Sequence, residues 1–100
     1  MRTTITARHC EIPEDLREHA AEVIGRLARI ATRPQRAQVV FDAEHNRKIV
    51  EAQVSLPRGQ VCVASAEADD FRTALDRATD KLRRQLRKSA SIRHHRTAAR

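Results

Sequence analysis

The stretch ASAEADDFRTALDRATDKLRRQLRK, Ala64 to Lys88, changes its period partway along, and that change decides the fold. Read with the preceding QVCV, Cys62, Ala64, Ala66 and Ala68 fall on one face and Val61, Val63, Ser65 and Glu67 on the other, which is a strand. From Phe71 the apolar residues are Phe71, Ala74, Leu75, Ala78, Leu82 and Leu86. Their spacing is that of one helix face and predicts a helix to about Lys88. Asp69 or Asp70 is suited to cap it, because a carboxylate accepts the free N–H groups of a first helical turn. The alanine face of the strand leaves room for a helix to lie close.

Working outward, RTTITAR (Arg2 to Arg8) alternates and reads as a short strand. EIPEDLREHAAEVIGRLARI then turns to helical period, with Leu16, Ala20, Val23, Leu27 and Ile30 as the buried stripe and Ile24 beside it. Pro13 suits a first turn, and Glu14 and Asp15 complement the positive end of the helix dipole. Gly25 costs about 1 kcal/mol against Ala inside a helix, and close packing on a sheet is the expected reason for it. Pro34 ends this helix. AQVVFDA and KIVEAQVSL are strands, separated by an EHNR turn and followed by a tight PRG turn. The order is β-α-β-β-β-α. This predicts an α+β domain over residues 1–90, a four-stranded sheet with both helices on one face, and a basic flexible tail at 91–100 that lacks periodicity.

Charge is distributed unevenly over the 100 residues. Residues 1–71 carry ten Lys and Arg against eleven Asp and Glu, whereas residues 72–100 carry ten against two. A near-neutral body with a basic C-terminal third points to a polyanionic partner. On a helical wheel Arg77, Lys81, Arg84 and Lys88 form one column beside the apolar stripe; Arg72, Arg83 and Arg87 form another on the opposite flank, interrupted by Asp76. Like charges at i, i+4 and i, i+3 each cost about 0.2–0.5 kcal/mol in a free helix. Stability alone therefore favours alternating signs, and phosphate binding explains the column better than solvation does. Arg8 and Arg93 are candidate extensions of this surface.

Single-strand readers stack bases on aromatic rings. Here only Phe41 and Phe71 are present, both at core positions, with no Tyr or Trp. Backbone and shape recognition of folded RNA remains. No constellation implies an enzyme. His9 beside Cys10 has no orienting acid nearby in sequence, and His94–His95 has no third metal ligand at a plausible spacing, so neither a metal nor a cofactor is expected. The N-terminus offers no apolar stretch for a signal peptide. Cys10 and Cys62 read as free buried thiols in a reducing cytoplasm, with a disulfide as the alternative.

Ala64 to Lys88 closely resembles the ribosome hibernation-promoting factor family, also called the ribosome-associated inhibitor or sigma-54 modulation family. The ASAEA strand, the acidic pair before a large apolar residue, and the DKLRRQLRK run carry the resemblance, and ITARHCEIPEDLREHAAEVIGRL resembles the family's first strand and helix. The likeness covers about residues 2–90. It implies a fold related to double-stranded RNA-binding domains. It also implies a monomer that binds the small ribosomal subunit and its ribosomal RNA in the channel for messenger and transfer RNA, blocking translation in stress or stationary phase. The basic positions it points to are Lys81, Arg84 and Lys88, with Arg77, Arg83 and Arg87 around them. Arg72 stands where many members carry an aromatic residue, and Pro13 where a capping Thr is frequent. A general binder of double-stranded or structured RNA is the alternative.

Overall fold

The alternating segments all become strands. In the computed structural model, which describes the backbone of residues 1–98 and the side chains through Lys88, β1 (Arg2–Arg8) is followed by α1 (Glu14–Ala28), β2 (Arg36–Glu44), β3 (Arg47–Ser55), β4 (Val61–Ala68) and α2 (Phe71–Ala98). The sheet order is β1-β2-β3-β4. β1 runs parallel to β2, joined through α1, and β2, β3 and β4 form the expected antiparallel meander. The register sets Ile5 beside Val39, Val39 beside Ala52, and Ala52 beside Ala64. One face is thus a continuous apolar surface, and both helices lie on it.

The core is built from that face and the helix stripes. Phe41, Val39, Val50 and Val54 from the sheet meet Ile24 and Leu27 of α1 and Leu75, Leu82 and Leu86 of α2, all at most 2% exposed. Each buried Leu contributes roughly 1.5–3 kcal/mol relative to exposure, so the three leucines are a major part of what holds α2 on the sheet. Ala74 and Ala78 of α2 and Ala64 and Ala68 of β4 are buried as well. Small residues on both elements let the two backbones approach.

The turns follow local chemistry. His45 and Asn46, both at positive φ (49° and 65°), form the two-residue connection between β2 and β3, the geometry of a type I′ hairpin turn. Between β3 and β4, Pro57 opens a short 3₁₀ turn in which Arg58 and Gly59 both have positive φ. Asp70, not Asp69, caps α2: its carboxylate accepts from the Thr73 N–H at 2.9 Å and the Thr73 hydroxyl at 2.8 Å. Those two bonds, the N–H first, hold the Asp70 carboxyl below the usual range. Such a group stabilises the fold fully above its unfolded pKa, about 3.9, and that contribution fades as pH falls through the lower folded value. Asp70→Asn, which keeps the acceptor and removes the titration, is expected to flatten the acid limb of a stability–pH curve. Asp70→Ala is expected to lower the melting temperature by a few degrees at neutral pH. Equal acid limbs for wild type and Asp70→Asn would show that the cap does not titrate with unfolding.

Three expectations are corrected. In α1 the buried residues are Leu16, Ala20, Ile24, Leu27 and Ala28, while Val23 is half-buried. Ile30 lies past the helix end, where three consecutive i to i+3 bonds tighten the chain. Gly25 is not explained by close packing, since an added Cβ would meet nothing within 4 Å. Gly25→Ala is therefore expected to stabilise the protein by about 0.5–1 kcal/mol in urea titration, and a destabilised variant would contradict that reading. Finally, α2 continues well past Lys88 to Ala98. The apolar stripe ending at Leu86 marks where packing on the sheet ends. Residues 87–98 contain no Gly or Pro to end the helix itself. The mobility expected of 91–100, and the side chains of Arg93, His94 and His95, lie outside the described residues.

Candidate nucleic-acid interface

The column expected from the wheel exists as a surface, but its members are held differently. Burying Leu75, Ala78, Leu82 and Leu86 turns one flank of α2 toward β4, the last strand of the sheet. On that flank Arg77 Nη1 donates to the Glu67 carbonyl (3.2 Å), Lys81 Nζ to the Ser65 carbonyl (3.0 Å), and Gln85 Nε2 to the Val63 carbonyl (2.7 Å). Arg77 and Lys81 remain exposed. An ammonium has three donors and a guanidinium five, so both keep N–H groups free for a phosphate.

Arg84 is directed by Asp80, which accepts from Arg84 Nη2 at 2.6 Å and from Arg83 Nη1 at 3.3 Å. Asp80 thus relieves the like-charge crowding on the helix and holds two guanidinium planes in place. The Arg84 side chain is still 76% exposed, whereas that of Arg83 is 39% exposed. Arg83 lies one turn from Thr79, a buried residue whose hydroxyl donates to the Leu75 carbonyl at 2.8 Å. Lys88 and Arg87 are exposed and have no ion partner among the described residues. Of the residues expected to bind RNA, those with exposed side chains on α2 are Arg77, Lys81, Arg84, Arg87 and Lys88.

Arg8 is not brought to this column. It ends β1, on the opposite edge of the sheet, opposite Asp42 of β2. Three strand spacings, about 14 Å, separate it from β4. Its neighbour His9, at φ 55°, donates through Nδ1 to Asp42 Oδ1 at 3.0 Å. That bond is the main cause of the lowered Asp42 pKa. Cys10 Sγ–H reaches the Phe41 carbonyl at 3.7 Å, and burial followed by the Asp42 charge pushes its thiol pKa up. A raised pKa means less thiolate and a poorer nucleophile. Cys10 and Cys62 are half-buried thiols and are not joined to each other by a disulfide. Among the described residues no group of three or more His, Cys, Asp or Glu is placed to hold a metal ion. No described helix is long and apolar enough to cross a membrane.

Neither aromatic ring is offered to a base. Phe41 is fully buried and meets Phe71 edge-to-face at 5.4 Å, while the Lys48 ammonium sits 5.3 Å over the Phe71 ring. Sequence reasoning missed Gln85, an uncharged member of the column. Its signal was the i, i+4 spacing after Lys81, which a search for charge passes over.

Known proteins resemble this chain in sequence and in fold. Over 88 residues the chain is 35% identical to a ribosome hibernation promoting factor of Pseudomonas putida, covering 88% of this chain and 85% of that protein. Its fold matches a ribosomal subunit interface protein from Coxiella burnetii with a TM-score of 0.78 and 31% identity, over 91% of this chain and 99% of that one. It also matches the N-terminal domain of Protein Y from Thermus thermophilus, with a TM-score of 0.72 and 29% identity, over 85% and 93% of the two chains. The profile of one family spans residues 3–94. With that span, and with the β-α-β-β-β-α order shared with these structures, the chain belongs to the Sigma 54 modulation protein / S30EA ribosomal protein family.

Proposed function

We propose that the protein is a ribosome hibernation factor. It binds the small ribosomal subunit in the channel that messenger and transfer RNA would occupy, and it inhibits translation in stress or stationary phase by filling that channel. The observation that supports this most is the cationic flank of α2, running from Arg77 through Lys81 and Arg84 to Lys88 on a rigid helix packed against the sheet. It is joined by membership in a family whose relatives are named for ribosome hibernation. The contacts are to the phosphate backbone, since both phenylalanines are engaged in packing. The protein acts in the cytoplasm as a monomer, without cofactor or catalysis. Arg93 is a further candidate contact to the ribosomal RNA.

The general duplex binder fits less well. Such domains present cations at the start of their last helix, and here that end carries Asp69 and the capping Asp70. Phosphates would meet two carboxylates there. Co-sedimentation of the purified protein with small subunits, beside a plain RNA duplex at matched salt, tests the choice. Retention by subunits and weak, strongly salt-sensitive duplex binding is the expected result. Equal affinity for both would favour the general binder.

A further inference from the structure

The bonds from α2 to β4 form a regular ladder. Arg77, Lys81 and Gln85 are spaced by four residues on the helix, about 6.0 Å per step. Their acceptors Glu67, Ser65 and Val63 are spaced by two residues on the strand, about 6.7 Å per step. The helix and strand run in opposite directions, so the two periods stay in step over three rungs. The rungs fall on the carbonyls that a further strand would use, because β4 is the end of the sheet and β3 pairs with its other side.

An end strand with free carbonyls is a template for pairing with another chain. β4 is a strong template in its own right. Val61 and Val63 are 50% and 40% exposed on its outer face, and QVCVASAEA contains no Pro and one charge, a composition that favours strand association. The opposite edge shows the same device, with Arg17 of α1 donating to the Ile5 carbonyl of β1 at 2.9 Å.

We infer that Arg77, Lys81 and Gln85 guard the β4 edge, and that the surface they cover is one on which a second copy of this chain would pair through its own β4. The second copy is the occupant because it presents the same exposed valine row and, once its own rungs are removed, the same open carbonyl edge. The guard does not depend on what the cations bind. Lys81 and Arg77 thereby have two separable roles, one through hydrogen bonding to β4 and one through charge. Gln85 shows that a neutral side chain in this column reaches the strand.

Two variants of equal net charge separate the roles. Arg77→Gln/Lys81→Gln keeps donors for the rungs, and Arg77→Ala/Lys81→Ala/Gln85→Ala removes them all. Molar mass by light scattering across a concentration series is the readout, with circular dichroism to confirm the fold. The alanine variant is expected to reach at least twice the monomer mass at concentrations where wild type and the glutamine variant remain monomeric. Should the triple alanine variant not fold, Lys81→Ala, which removes only the middle rung, carries the same expectation with a smaller rise in mass. Folded alanine variants that stay monomeric throughout would overturn the inference. So would a glutamine variant that associates as readily as the alanine one, since charge repulsion would then be the protection. Small-subunit binding by the same proteins is a separate readout, so loss of the ribosome reading would leave this test intact.

Discussion

Replacing Lys81 with Gln and both Arg84 and Lys88 with Glu is expected to reduce binding to the small subunit by about 10³–10⁴-fold while the fold survives. A unit charge about 4 Å from another in water contributes roughly 1 kcal/mol. Removing three such contacts and adding two repulsions of similar size gives about 5 kcal/mol, and each 1.4 kcal/mol is tenfold. The fold is expected to persist because all three side chains are exposed, and because Gln at position 81 retains a donor for the Ser65 carbonyl. Arg84 also gives up its bond to Asp80, a pair exposed enough to be worth little to stability. The salt dependence is the more telling measurement. Each phosphate contact contributes about 0.7–0.9 to the slope of log affinity against log salt, so losing three should make the slope shallower by about 2–3. Normal co-sedimentation of the folded variant would remove these residues from the interface. Weaker binding with an unchanged slope would mean that they act through structure and not through phosphates.

The second large effect is in the core. Phe41→Ala is expected to cost about 3–5 kcal/mol, the range for emptying a fully packed aromatic site. A domain of this size has about 5–15 kcal/mol in all, so the variant sits near the threshold of folding. For 60–100 residues each kcal/mol lowers the melting temperature by roughly 4–8 °C, which predicts a drop of at least about 12 °C. The ring is the largest side chain in the core and meets the Phe71 ring at the start of α2. Its loss removes that contact as well as leaving a void. Phe41→Leu refills part of the volume and should cost clearly less. If thermal melts show the two variants equally stable, the ring does not anchor the helix as the packing indicates. Because the site lies away from the α2 cations, Phe41→Leu should bind subunits normally below its melting temperature.

The strand and helix segments were readable because period 2 and period 3.6 are local properties of a chain with one apolar face to bury. The meander of β2, β3 and β4 followed from the short connections between them. The stripe of α2 was read correctly because four of its members, Leu75, Ala78, Leu82 and Leu86, are spaced by three or four residues and each is at most 1% exposed. The stripe of α1 was less certain. Val23 and Ile24 compete for the same role, and the neighbouring sheet rather than spacing settles which is inside. Gly25 misled for a related reason: a glycine in a helix signals close approach only when something lies opposite it, and here nothing does.

Charge is where sequence and tertiary structure divide most clearly. A helical wheel, which needs only the 100° step between residues, was sufficient to show that cations gather along both flanks of the apolar stripe of the last helix. The sequence also placed both aromatic residues in the core pattern and so directed attention to backbone recognition. What each cation is bonded to became visible in the folded chain alone. Arg77 and Lys81 are tied to the edge of β4, Arg84 is oriented by Asp80, and Arg8 stands on the far side of the sheet. A helix fixes the direction of its side chains relative to its own axis, but a hydrogen bond to a strand 10 to 22 residues earlier in the chain exists only once packing has set the two elements side by side.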